Sequence, residues 1–371
     1  MLLLFFHKEE PMRETVLEVD KTKFLNNIDK IKEKANGKIL MPVIKANAYG
    51  TYLNYCLDIT NLFDIVCVAT VDEVSYIRKT GYKKEILILN QPCPHEIPNI
   101  NAYKASVGIC DKDFLEAAIE NGKKIKVHLE LETGMNRTGI KEDELEWFIE
   151  KIKASENIIV EGVYTHFSSA DDDPEYTDRQ FEIFKRGVKR IQESFDTIKY
   201  IHSSASTGIT HLKEDITNSV RPGIIMYGYY PSKNEMDLID IEPTCKLKAS
   251  ISHIFWIDEG ESVSYNRRFT SKRRTKVATV QIGYADGLRR ALLGKGEVII
   301  HGQKAPIIGT ICMDSCMVDI TDIKDDIKVG DKVYIWDNEI ITLEEIADKC
   351  GTINYEILCT ISSRVVRRYN E

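Results

Sequence analysis

Residues 38–45 read KILMPVIK, and 43–50 continue the same stretch as VIKANAYG. The first segment is a short apolar run closed by a lysine, which predicts a buried strand ending at Lys45. Pro42 weakens that strand, because proline has no N–H to give to a ladder. Upstream, Phe24, Leu25, Ile28 and Ile31 recur at helical spacing behind Asp20, a residue of N-cap type. Downstream, short apolar runs recur at 64–70, 85–89, 105–109, 125–131, 158–165, 199–202 and 218–221. Helical patterns separate most of them, such as Phe114-Leu115-Ala118-Ile119 and Phe181-Phe184-Val188-Ile191. Eight strands alternating with helices predict a parallel (β/α)8 TIM-type barrel over 14–240. A doubly wound open sheet would want a GxGxxG turn after an early strand, and the chain has none.

After residue 240 the texture changes. Short alternating strands at 246–257, 276–282, 297–301 and 332–336 dominate, punctuated by turns such as Asp258-Glu259-Gly260 and Val329-Gly330-Asp331. They predict a second, mostly β domain over 241–371, interrupted by one helix near 342–350. No internal repeat or low-complexity segment is visible.

A chain of 371 residues exceeds one hydrophobic core, in keeping with two domains. Its net charge of −8 argues against a nucleic-acid partner, which usually meets a basic face. The nine cysteines are scattered without a CxxC pair, which predicts reduced thiols, a cytoplasmic setting and no zinc site. The apolar start, Met1 to Phe6, is too short to span a bilayer. Residues 1–13 are read as a flexible leader, with the trimmed edge of a membrane-anchored parent as the alternative. No membrane association is expected of this chain.

Lys45 falls at the C-terminal end of the first barrel strand, the face where barrel active sites form. Taken alone, it reads as a surface lysine, but a lysine aimed into a partly buried mouth can act as an amine nucleophile. Its context decides. VIKANAYG resembles the cofactor-lysine segment of alanine racemases, the fold type III enzymes dependent on pyridoxal 5'-phosphate. The resemblance runs on in order through ETGMNRTGI (132–140), YTHFSSAD (164–171), RPGIIMYG (221–228), SVSYN (262–266), IGYADG (282–287), ICMDSCM (311–317) and TINYEILCTISSRV (352–365). Eight segments in order, across both predicted domains, are a specific signal.

The resemblance implies a (β/α)8 barrel followed by a β domain, and a homodimer acting on a small amino acid. It implies that Lys45 carries pyridoxal phosphate as a Schiff base. Tyr49, Ser206, Tyr355 and the backbone at Gly223 and Ile224 would hold the phosphate, in the loops where barrels commonly bind one. Arg221 would face the pyridine nitrogen; a guanidinium stays protonated, so the ring nitrogen would not. His166 would link Arg221 to the catalytic tyrosine, with His202 in support at the end of the seventh strand. Lys45 and Tyr265 would be the two bases, on opposite faces of the substrate Cα, with Tyr265 reaching in from the other subunit. A phenol used as a base near neutrality needs positive charge or donors beside it. Arg137 and the Met313 backbone would hold the substrate carboxylate, Tyr284 would gate the entrance, and Asp314 would play a supporting part. The family supplies D-alanine for cell-wall peptidoglycan.

Three departures stand out. Where these racemases often carry a carbamylated lysine, this chain has Glu130, which predicts a Glu130–Arg137 pairing, direct or through water. Ala205-Ser206 replaces the usual Asn-Ser. Thr51 and Tyr52 replace a histidine and a glycine. They bear on substrate preference, leaving a serine or broader amino-acid racemase as the alternative. A non-catalytic cofactor-binding barrel would lack the second domain. A decarboxylase would use Cys312 and Asp314, whose context is instead racemase-like. A barrel glycosidase would need paired carboxylates at strand ends.

Overall fold

The computed structural model describes residues 15–210, 216–232, 234 and 238–370. The leader read over 1–13 lies outside them. The chain divides into two compact units, one of residues 23–242, the other of residues 15–22 together with 243–370.

The first unit is the barrel. Its strands are β2 (Ile39–Leu40), β3 (Ile65–Val68), β4 (Glu85–Ile88), β5 (Ser106–Ile109), β6 (Ile125–Glu130), β7 (Ile158–Tyr164), β8 (Tyr200–His202) and β9 (Ser219–Val220). Strands β3 to β8 form one parallel ladder in sequence order. The ring closes through β2 and β9, which pair in parallel with Ile39 opposite Ser219. Pro42, having no N–H, contributes its carbonyl: Cys67 N–H donates to it at 2.7 Å, and Val43 bridges Cys67. On the other side Arg221 N–H donates to Ser204 O at 2.9 Å. Strands β3 and β5 are buried at every residue, as expected of strands enclosed on both faces.

The second unit is mostly β. The 13-residue strand β10 (Cys245–Ile257) pairs with Thr275–Val280 and with Lys332–Trp336. It also pairs with β1 (Val16–Asp20), which runs parallel to Val366–Asn370 on its other edge. This corrects the expected boundary: residues 15–22 belong with the second unit, not with the barrel. The reason is long-range pairing, since the VLEVD ladder partners lie beyond residue 244. The expected helix is Leu343–Cys350, capped by the Thr342 hydroxyl, which accepts from Glu345 N–H at 3.1 Å. Among the described residues no helix is long and apolar enough to cross a membrane, and no group of three or more His, Cys, Asp or Glu is arranged to hold a metal.

Candidate active site

Directly after β2 the backbone turns the wrong way. Ala46, Asn47, Ala48 and Tyr49 all have φ between 51° and 56°, a left-handed turn built without glycine. L-residues resist this conformation by about 1–2 kcal/mol each. It persists because the surroundings over-determine it. Glu73 accepts from Ala46 N–H at 2.6 Å and from Ala69 N–H at 2.7 Å, while Tyr55 Oη donates to Asn47 Oδ1 at 3.0 Å. Tyr52, standing where the family has glycine, also sits at φ 62°. Thr51 ties itself to the turn by donating from Oγ1 to Ala48 O at 2.7 Å. The turn leaves Lys45 half-buried and packs the Tyr49 ring 5.1 Å from that of Tyr227.

Tyr49 thereby meets the residues after β8 and β9. Gly223 N–H donates to Ser206 Oγ at 3.0 Å. A Cβ added at Gly223 would overlap the Tyr49 hydroxyl and come within 3.5 Å of Ser206 Oγ. Glycine therefore keeps open a small cradle lined by two hydroxyls and backbone amides, a donor set suited to a phosphate. Ile224, next in the chain, is fully buried. The residues present fit the phosphate of the expected cofactor.

Arg221 is buried and spends its terminal nitrogens on the protein. Nη1 donates to His202 O at 2.9 Å and lies 2.6 Å from His202 Nδ1; Nη2 donates to Thr165 O at 2.8 Å and Ser203 O at 3.1 Å, and lies 3.4 Å from His166 Nδ1. Arginine has no acceptor, so His202 Nδ1 accepts, and in the neutral ring its Nε2 carries the hydrogen. That hydrogen points to His128 Nδ1, 2.9 Å away. Burial, then the Arg221 charge, holds His202 far below its ordinary value; burial likewise takes His128 and His166 to about 3. Their lowered pKa values keep these histidines neutral, and among the described residues the Arg221 Nε–H has no acceptor, which leaves it as the guanidinium donor for a ligand.

Glu130 does not form the expected direct pair with Arg137. Its carboxylate accepts from Thr138 Oγ1 at 3.0 Å, and Arg137 is exposed. Burial raises the Glu130 pKa, while Thr138 and the nearby Arg137 charge oppose that rise.

In the second unit, Tyr265, Met313 and Tyr284 are brought together by the backbone. Thr310 Oγ1 donates to Tyr265 O at 2.9 Å, Tyr284 N–H to Cys312 O at 3.0 Å and Ala285 N–H to Met313 O at 3.0 Å. All three side chains are exposed, Tyr265 at 68%. Asp314 accepts from Arg364 at 2.6 Å. Tyr355 is half-buried in the helix Asn354–Cys359.

Models for the N-terminal and C-terminal domains of alanine racemase match residues 19–231 and 244–369. The chain belongs to the alanine racemase family. The alanine racemase of Clostridium novyi is 39% identical, with 96% of each chain covered. That of Methanococcus maripaludis is 37% identical over 95% of this chain and 97% of its own. The solved alanine racemase of Clostridium difficile 630 superposes with a TM-score of 0.90 at 34% identity, covering 98% of this chain and 97% of its own. That of Bacillus anthracis, with L-Ala-P bound, gives 0.91 at 32% identity, covering 98% and 96%.

The family segments had already singled out most of these residues. Not singled out are His128, which meets the His202 ring, and Thr165, whose carbonyl accepts from Arg221. His128 was findable, since it lies two residues before Glu130 on β6 and so shares its face.

Proposed function

We propose that this member of the alanine racemase family interconverts L- and D-alanine in the cytoplasm, using pyridoxal phosphate carried on Lys45, and that two copies of the chain complete each site. The observation that carries the reading is the cradle of Tyr49, Ser206 and Gly223, kept open by a glycine and built at the same barrel end as Lys45 and Arg221.

Bound there, the cofactor would supply an electron sink that acidifies the substrate Cα–H. The rest falls to the protein. Tyr49, Ser206, the amides of Gly223 and Ile224, and Tyr355 hold the phosphate. Arg221, braced by His202 and neighbouring carbonyls, offers Nε–H to the ring nitrogen and cannot give up a proton to it. Arg137 and the Met313 amide grip the substrate carboxylate. Lys45 takes or returns the Cα proton on the face that serves D-alanine, and Tyr265 of the second copy does so on the face that serves L-alanine. Tyr284 lines the entrance, with Asp314 steadying the Met313 turn. The exposed Tyr265, Met313 and Tyr284 support the dimer, because grouped apolar side chains on a surface mark an interaction site.

The test joins an absorbance spectrum to a chiral assay. The purified protein is scanned for a Schiff-base chromophore, then given L-alanine and, separately, L-serine. A chromophore with faster formation of D-alanine is expected. A chromophore with faster D-serine formation would reassign the substrate, and no chromophore after added cofactor would overturn the role of Lys45.

A further inference from the structure

The loop 132–140 is a rigid piece that needs an outside hold. Internally it is stapled: the Glu132 carboxylate accepts from Gly134 N–H and, at 2.8 Å, from Asn136 N–H. Glu132 N–H donates to Ile140 O at 3.0 Å, and Ile140 N–H to Glu130 O at 2.7 Å. Arg137 rides on this loop, exposed, and among the described residues its guanidinium makes no hydrogen bond or ion pair. Its position therefore follows from that of the loop backbone.

The hold comes from the helix Pro174–Gln192, which follows β7. Tyr176 and Gln180, one turn apart and so on one face, both reach the loop. Tyr176 Oη donates to Gly134 O at 2.9 Å. Gly134 sits at φ 139°, and a Cβ there would strike Tyr176 Oη at 2.5 Å, so only glycine lets the hydroxyl come this close. Gln180 is buried, 1% exposed, and its amide orientation is fixed. Ser168 N–H donates to Oε1 at 3.1 Å, which turns Nε2 towards Thr133 Oγ1 at 3.3 Å. Thr165 Oγ1 donates to Leu131 O at 2.9 Å, so Thr133 Oγ1, 2.8 Å from it, is the donor between the two threonines. One directed chain thus runs from Gln180 through Thr133 and Thr165 to Leu131. The carbonyl of Thr165 is also an acceptor for Arg221 Nη2.

We propose that Gln180 and Tyr176 are positioning residues for Arg137: they set the loop 132–140 against the end of β7 and so fix the grip on the substrate carboxylate. The inference rests on the reading of Arg137 as the carboxylate-binding residue. It predicts an effect on substrate binding rather than on the proton-transfer step, because neither residue belongs to the Lys45 or Tyr265 machinery.

The experiment uses the holoenzyme and two single variants, Tyr176→Phe and Gln180→Met. Each is combined with Arg137→Ala. Kinetics in L-alanine are paired with calorimetric binding of propionate, which keeps the substrate's carboxylate and methyl and lacks its amine. The expected result is that each single variant raises KM and the propionate Kd by about three- to tenfold while kcat stays within about twofold. On the Arg137→Ala background neither variant weakens propionate further. Should Gln180→Met fail to fold, Tyr176→Phe, which removes one oxygen, still decides the matter. Unchanged KM and Kd in the clamp variants, beside raised values in Arg137→Ala, would overturn the clamp alone. A fall in kcat without a KM change, or full additivity with Arg137→Ala, would overturn it too. Unchanged binding in Arg137→Ala itself would remove the reading on which the clamp rests.

Discussion

Arg221 Nη1 donates to His202 twice, at 2.9 Å to the carbonyl and across 2.6 Å to the ring Nδ1. Ring and backbone of one residue thus grip one nitrogen of a buried guanidinium. His202→Leu would leave that nitrogen with only the carbonyl, and an unmet buried donor costs about 1–3 kcal/mol. The expected outcome is a fall of that size in urea unfolding free energy, with lower racemase activity. Undiminished stability would mean that the ring contact contributes little.

Acid should unfold this protein through its neutral histidines. Burial lowers His128 and His166 to about 3 and depresses His202 strongly, whereas an unfolded histidine titrates near ~6.5. Between those values the unfolded chain binds protons that the folded chain refuses. Stability is therefore full above pH ~6.5 and is lost as the pH falls towards 3, by about 1.4 kcal/mol per pH unit for each such histidine. Tm measured against pH should fall less steeply in His128→Gln than in the wild type; an identical slope would rule His128 out as a source.

Gly223→Ala probes the cradle. The Cβ it adds would overlap Tyr49 Oη at the edge of the cradle. The Kd for pyridoxal phosphate, read by fluorescence or absorbance, should rise about tenfold or more, with a smaller change in Tm. Unchanged affinity would argue that the phosphate sits elsewhere.

Glu130→Gln keeps the shape and removes the charge. Thr138 still finds an acceptor, but the anion near Arg137 is gone. KM for L-alanine should rise a few-fold with Tm nearly unchanged. If activity and affinity both stay as they are, Glu130 has no part in substrate binding.

A hybrid test addresses the second copy. Lys45→Ala and Tyr265→Phe chains are each expected to be nearly inactive. If Tyr265 acts on the partner's site, unfolding and co-refolding them together yields mixed dimers with one intact site. Recovered activity should approach about a quarter of the wild-type value. No recovery would mean that both bases come from one chain.

Much of this molecule was legible in its sequence because parallel barrel strands, buried on both faces, read as plain apolar runs. The strand expected over 38–45 shrank to Ile39–Leu40, since Pro42 gives a ladder only its carbonyl. In the second unit Lys332–Trp336 fell at its expected position, but Gln303–Ile308 and Cys316–Asp319 were not anticipated. Strand β1 was missed as a member of the second unit because its partners are remote, and no local pattern announces them. The site followed the same rule. Lys45, Arg221 and Tyr265 stand in recognisable segments, whereas Gln180 looks like any helix residue until its contact with the 132–140 loop is seen. The left-handed turn at 46–49 was also hidden, because nothing in KANAY departs from ordinary helix composition.

Val16 and Val366 are ladder neighbours, so the sheet of the second unit joins strands from opposite ends of the described chain. During synthesis β1 leaves the ribosome ahead of the entire barrel, and its first partner, β10, follows only after residue 244. Throughout that interval its edge groups have no native mate, while the barrel's own strands can pair with near neighbours as they emerge. The order of maturation is thereby written into the connectivity: the barrel can close early, and the unit that carries Tyr265 is completed last.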